Sequence, residues 1–107
     1  MTKPNPSTSR TQYAVEFTPG RDNWDLMCPC CRATDGYLHH HGVTVYSREE
    51  DGVATVTTIN GGIAGENPSD RRDGIAIRFT CELCPADIEL TIAQHKGHTL
   101  LAWRNAQ

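Results

Sequence analysis

The chain has 107 residues, 37% of them hydrophobic, with a formal net charge of −3 and five cysteines. That length holds one small domain with a thin core, which makes a metal or a covalent cross-link a valuable source of stability. The acid surplus argues against broad neutralisation of phosphates, the force behind non-specific nucleic-acid binding, and leaves room only for a local basic patch.

Residues 1–12 are polar and proline-bearing and read as a flexible N-terminal arm ahead of a single domain over residues 13–107. No apolar run in residues 1–20 serves as a secretion signal, and no stretch has the length of a membrane span. The expectation is a soluble chain of the cytoplasm. Thiols stay reduced there, which favours metal binding over disulfides. The odd cysteine count agrees.

Tyr13, Val15 and Phe17 alternate with Ala14, Glu16 and Thr18, the pattern of a half-buried strand, closed by Pro19-Gly20. Trp24 and Leu26 lead into the first cysteine turn. Residues 37–47 are rich in β-branched and aromatic side chains and predict a strand. Glu49-Glu50-Asp51-Gly52 forms a polar turn, and residues 53–59, dense in Val and Thr, return as the second arm of a hairpin. Asn60-Gly61-Gly62 ends that arm. The stretch from there to Gly74 is a long loop rich in Gly, Asn, Pro and charge. Ile75, Ile77 and Phe79 alternate into Cys81. Ile88, Leu90 and Ile92 form a further alternating set. His95-Lys96-Gly97 turns the chain, and residues 100–103 bring it back. No window shows a helical apolar period. The predicted fold is all-β: a small antiparallel sheet of about six strands with two cysteine turns at one end.

Cys28-Pro29-Cys30-Cys31 and Cys81-Glu82-Leu83-Cys84 each contain a C-x-x-C step. Two residues between thiolates form a tight turn that aims both sulfurs at one point, and two such turns complete the closed shell of a structural zinc ion. The favoured ligands are Cys28, Cys31, Cys81 and Cys84. About fifty residues separate the pairs, against roughly 15–20 in common ribbons, and an inserted hairpin and loop account for the excess. Buried thiols acting as small hydrophobes, or redox disulfides, are the alternatives. Cys30 reads as a spare thiol beside the metal, or as a substitute for Cys28 or Cys31.

On a strand, His39 and His41 share one face and His40 takes the other. They read as solvent-facing histidines near the cysteine turn, as a groove lining, or as a ligand replacing one cysteine. Cys81, Cys84, His95 and His98 offer a two-Cys, two-His scheme, but the finger needs a helix where the pattern here is a strand and a turn. Arg71 and Arg72, in a glycine-flanked loop with Asp70 and Asp73, form a candidate grip for phosphate or an acidic partner. Trp24 and Trp103 are candidates for core packing or for a partner anchor. The phosphate-binding, serine-hydrolase and H-E-x-x-H motifs are missing, so no enzymatic activity is expected. A zinc-site nuclease built on residues 39–41, Asn60 and His98 is the weakest alternative.

The order Cys28-Pro29-x-Cys31, Leu38-His39-His40, Asn67-Pro68-Ser69 with Arg71-Arg72-Asp73-Gly74, Cys81-Glu82-x-Cys84 and Gln94-His95-Lys96-Gly97 resembles that of small, uncharacterised zinc-ribbon-like proteins of actinobacterial phages, prophages and plasmids. The likeness covers about residues 13–104. It implies a metal-stabilised domain and a mobile-element origin, and brings no activity. Arg32 departs from the pattern, standing where ribbon turns often have glycine. The expectation is a structural-zinc module that binds a protein partner through residues 60–74 and the histidine faces, with Arg71, Arg72, His39, His41 and Trp103 as candidate contacts. A nucleic-acid-binding regulator using Arg71, Arg72, Arg78, Lys96 and Trp103 is the runner-up.

Overall fold

The structure, a computed structural model, describes residues 12–32, 37–48 and 52–106. Eight strands and no helix appear among them: β1 (Gln12–Tyr13), β2 (Phe17–Pro19), β3 (Trp24–Leu26), β4 (Leu38–Arg48), β5 (Ala54–Ile59), β6 (Gly74–Cys81), β7 (Asp87–His95) and β8 (His98–Asn105). Six of them make one antiparallel sheet in the order β1-β8-β7-β6-β4-β5, and β2 and β3 pair as a separate small hairpin. No helix among the described residues is long and apolar enough to cross a membrane. The predicted arm lies outside the described residues except for Gln12, which pairs with Arg104 as the start of β1. The predicted acidic turn at residues 49–51 also lies outside them.

Local chemistry explains the turns. Lys96 and Gly97 both take positive φ, 49° and 85°, the two-residue turn whose twist suits a β-hairpin, and His95 faces His98 across it. Asn60 and Gly61 repeat the geometry at 53° and 87°. There the chain leaves β5 and folds back over the sheet. The sharp approach needs glycine: a Cβ on Gly42 would lie 2.1 Å from the Gly62 nitrogen. Gly42 sits where the β4–β6 register shifts between His40 and Val43, a bulge that bends the strand.

The two sheet faces carry different chemistry. One presents Thr44, Tyr46, Ala76, Glu89, Thr91, Ala93 and Arg104, all buried. Residues 60–73 cross over it. The Thr44 hydroxyl donates to the Ile63 carbonyl at 3.0 Å, and the Gly65 N–H donates to the Tyr46 hydroxyl at 3.0 Å. Further along, the Ser69 hydroxyl donates to the Gln94 carbonyl at 2.8 Å and accepts from the Arg72 N–H. The predicted loop is therefore a strap, tied to the sheet by hydrogen bonds.

The opposite face carries Val43, Val45, Ile75, Ile77, Phe79, Ile88, Leu90, Ile92 and Trp103. The alternation in the sequence marks these as the core. Only Trp103 and Ile88 are fully buried, at 0% and 1% exposure; the others stay half-buried. Trp103 packs edge-to-face on Phe79 at 5.3 Å between ring centroids.

Candidate metal centre

The four cysteines meet at one end of the sheet. Cys28 and Cys31 follow β3, in a turn closed by the Arg32 N–H donating to the Cys28 carbonyl at 2.9 Å. Cys81 is the last residue of β6, and Cys84 lies in the turn that leads into β7. The β6–β7 pairing, closed by Thr80 opposite Asp87, aims the second turn outward from the sheet end. Two backbone bonds anchor the approach of the chain on either side: Met27 N–H to the Glu16 carbonyl, and Glu82 N–H to the Tyr37 carbonyl.

The sulfurs lie within 4.8 Å of one another. Cys28 Sγ is 3.7 Å from Cys84 Sγ, and Cys31 Sγ is 3.7 Å from Cys81 Sγ. These separations are far from a disulfide bond of about 2.05 Å. They match the sulfur–sulfur edge of about 3.8 Å in a tetrahedron whose centre is about 2.3 Å from each sulfur. The four-cysteine set therefore fits a metal ion of zinc's size and softness, bound in a closed shell. Cys28 is buried, Cys81 and Cys84 are half-buried, and Cys31 is exposed.

Backbone donors support the sulfurs in a repeated arrangement. Cys28 is approached by the N–H groups of Cys30 and Cys31, and Cys81 by those of Leu83 and Cys84. Burial raises the Cys28 thiol, but the N–H groups of Cys31 and Cys30 together with the neighbouring thiols outweigh it and bring the pKa down to about 7. Burial pushes Cys84 up to about 12. Cys81 is raised, first by burial. Metal loading would displace the protons that the raised Cys81 and Cys84 thiols hold.

Arg32 resolves the departure noted in the sequence. It takes φ of 58°, the left-handed conformation that glycine adopts freely, and its guanidinium lies 2.7 Å from Glu16. The turn forms with an arginine in glycine's place.

The other predicted site residues lie elsewhere. The cluster contains no histidine. His39 pairs with Glu82, His41 Nε2 lies 2.6 Å from Thr80 Oγ1, and His40 meets the edge of Phe79. His39 and His41 do share a side of the strand, and all three rings are exposed. His95 and His98 face each other at the β7–β8 turn, far along the strands from Cys81, so the two-Cys, two-His scheme is overturned. Cys30 is exposed and outside the four-sulfur group. Arg71 and Arg72 are exposed on the strap. Trp103 needs correction as a partner contact: at 0% exposure it offers no surface, whereas Trp24 is 68% exposed.

Sequence reasoning missed the buried pair of Arg104 and Glu89, joined at 2.8 Å with side chains 3% and 4% exposed. The signal available was Glu89 set between Ile88 and Leu90, which alternation assigns to solvent. Arg78 is held by both carboxylate oxygens of Asp87, at 2.8 and 2.6 Å. That contact lowers the Asp87 carboxyl below its usual range.

No protein-family model, curated protein or solved structure matches this chain.

Proposed function

We propose that this chain is a zinc-stabilised β module that works by binding another protein, with the metal serving architecture and not chemistry. The observation that carries the reading is the four-sulfur cluster, with every donor within 4.8 Å of the others. Four thiolates fill a tetrahedral shell and leave no position for substrate, the hallmark of a structural site. When bound, the ion supplies a link between the segment after β3 and the β6–β7 turn. The chain's own residues form the surface. The strap presents Arg71 and Arg72, His39 and His41 line the side of β4 next to the metal, and the acid surplus favours a protein over a polyanion.

The resemblance to small phage, prophage and plasmid proteins supports a mobile-element setting, with a host enzyme or a virion or replication protein as partner in the host cytoplasm. The nucleic-acid reading has lost support. Trp103 is buried and Arg78 is committed to Asp87, which leaves Arg71, Arg72 and Lys96 as its exposed cations.

The test starts with metal content. Purified protein should carry one zinc per chain, and chelation should collapse the near-ultraviolet circular dichroism. A metal-free chain that stays folded after chelator treatment overturns the reading.

A further inference from the structure

The aliphatic face of the sheet is the half of this fold that the chain leaves unfinished. A β-sheet with one apolar face needs a second layer against it. The strap supplies that layer to the other face, where Thr44, Ala76 and Thr91 are 0–2% exposed. In the neighbouring positions of the same strands, Val45, Ile75, Ile77, Leu90 and Ile92 remain half-exposed, and Leu101 beside them is 49% exposed. The larger aliphatic side chains thus point to the less covered side.

The described residues close this face only at its metal end, where Trp103 and Ile88 are 0% and 1% exposed; the row of Val45, Ile75, Ile92 and Leu101 stays less covered. The small β2–β3 hairpin leaves its own aromatics open, Phe17 at 50% and Trp24 at 68%. Residues 1–11, outside the described structure, have Met1 as their one large apolar side chain, and residues 33–36, 49–51 and 107 have none.

We propose that a second copy of this chain stacks on this face, sheet against sheet, to form a β-sandwich about a two-fold axis. Three features select that occupant. Around Val45, Ile75, Ile77, Leu90, Ile92 and Leu101 the face carries no ionisable side chain, so a copy meets no like charge there; the exposed His40, opposite Phe79, lies at its metal end. A two-fold interface requires a self-complementary patch, and an aliphatic centre rimmed by the uncharged Ser47, Thr55, Thr57, Gln94 and Thr99 is one. The area is sufficient: five strands spaced about 4.8 Å apart, over about 20 Å of strand length, give roughly 500 Å² per copy. The pair buries about 1,000 Å², the threshold for a specific interface. Aligned sheets of this kind pack about 10 Å apart. This goes beyond the proposed binding-module reading, which places its partner on the strap and the histidine side of β4, and rests on that reading for the rigid sheet that the metal supports.

The experiment is light scattering with size-exclusion chromatography on the full zinc-loaded chain, from 5 to about 200 µM, with zinc measured on the same fractions. The expected result is a concentration-dependent shift to twice the chain mass of 11.8 kDa. Leu101→Lys, at a position already half-exposed, should abolish the shift while the zinc stoichiometry stays unchanged. Ile75→Lys should do the same. Val56→Lys, 51% exposed and on the opposite face, should leave the dimer intact. If Ile75→Lys fails to fold, Leu101→Lys carries the test. A zinc-loaded wild type that stays monomeric throughout overturns the dimer and leaves the metal module standing. A dimer that survives Leu101→Lys, or that Val56→Lys destroys, also overturns it, the latter in favour of pairing along the β5 edge. A metal-free dimer with the expected variant pattern supports the interface and sinks the zinc reading.

Discussion

At the scale of single residues, the two cysteine turns divide five chemically equal thiols into four that converge and one that does not. Cys30 lies one position from Cys31, yet it is exposed and outside the sulfur group. Cys81 lies 3.7 Å from Cys31 and accepts the Leu83 N–H at 3.4 Å. Replacing Cys81 with Ser removes a soft ligand and leaves a hydroxyl that binds zinc poorly. Structural zinc in a small domain supplies roughly 10 kcal/mol or more, comparable with a whole domain's stability. Cys81→Ser should therefore unfold or aggregate the chain, whereas Cys30→Ser should change stability by no more than about 0.5 kcal/mol. Urea denaturation of zinc-treated samples, read beside zinc content, makes the comparison. Equal damage from both would show that Cys30 belongs to the ligand set. Arg32 belongs to the same scale. Its left-handed φ carries a steric cost of about 1–2 kcal/mol for a residue with a Cβ, and the Glu16 contact, exposed on both sides, offsets little of that.

At the scale of elements, β4 to β8 were legible; the single strand expected over residues 13–18 instead splits into β1 on the main sheet and β2 in the small hairpin, and the covering of the faces was not legible. Alternation and glycine punctuation located β4 to β8 within a few residues, because a period of two and a tight turn are local properties. The four ligand positions were legible for the same reason: C-x-x-C is a local turn. Alternation says that two faces differ. It does not say which face receives a lid, since that depends on a strap ordered by contacts far away in sequence. Residues 60–73 read only as a long loop from their Gly, Asn, Pro and charge content. Their backbone groups in fact bond to Thr44 and Tyr46 on β4. The β4 bulge left only Gly42 as a clue, and Glu89 was hidden by the rule that charges face water. The Glu89–Arg104 pair carries the prediction at this scale. Removing one partner of a buried pair strands the other charge, at about 3–5 kcal/mol, whereas replacing both with apolar side chains is often neutral. Glu89→Ala should lose that amount in urea titration. Glu89→Leu combined with Arg104→Met should recover most of it. A single-mutant loss under about 1 kcal/mol would mean that water reaches the pair beneath the strap.

At the scale of the whole molecule, a metal held by the four sulfurs would close a circuit that the hydrogen-bonded sheet leaves open. The segment from β1 to Cys31 departs from the β8 edge and reaches the β6–β7 turn, where the four sulfurs, once loaded, would tie it down. This coupling makes stability depend on pH in a definable direction. Free cysteines in an unfolded chain hold protons up to about pH 8.5. The metal-loaded fold holds none on its four thiolates. The unfolded state therefore binds more protons below that pH, and stability rises as pH rises. Each thiol that regains a proton contributes a slope of up to about 1.4 kcal/mol per pH unit. The carboxylates act in a separate window. Asp87, held low by Arg78, contributes stability that is present above its unfolded pKa of about 3.9 and is lost as pH falls through its depressed folded value. The expected course at fixed free zinc is thus a steady fall in stability from pH 8 to 5, while Asp87 is still ionised, with zinc release and unfolding occurring together. Circular dichroism and a zinc indicator recorded on one titration would follow both. A stability that stays flat from pH 8 to 5 and breaks only below pH 4 would assign the acid sensitivity to carboxylates and remove the metal from the fold's energetics.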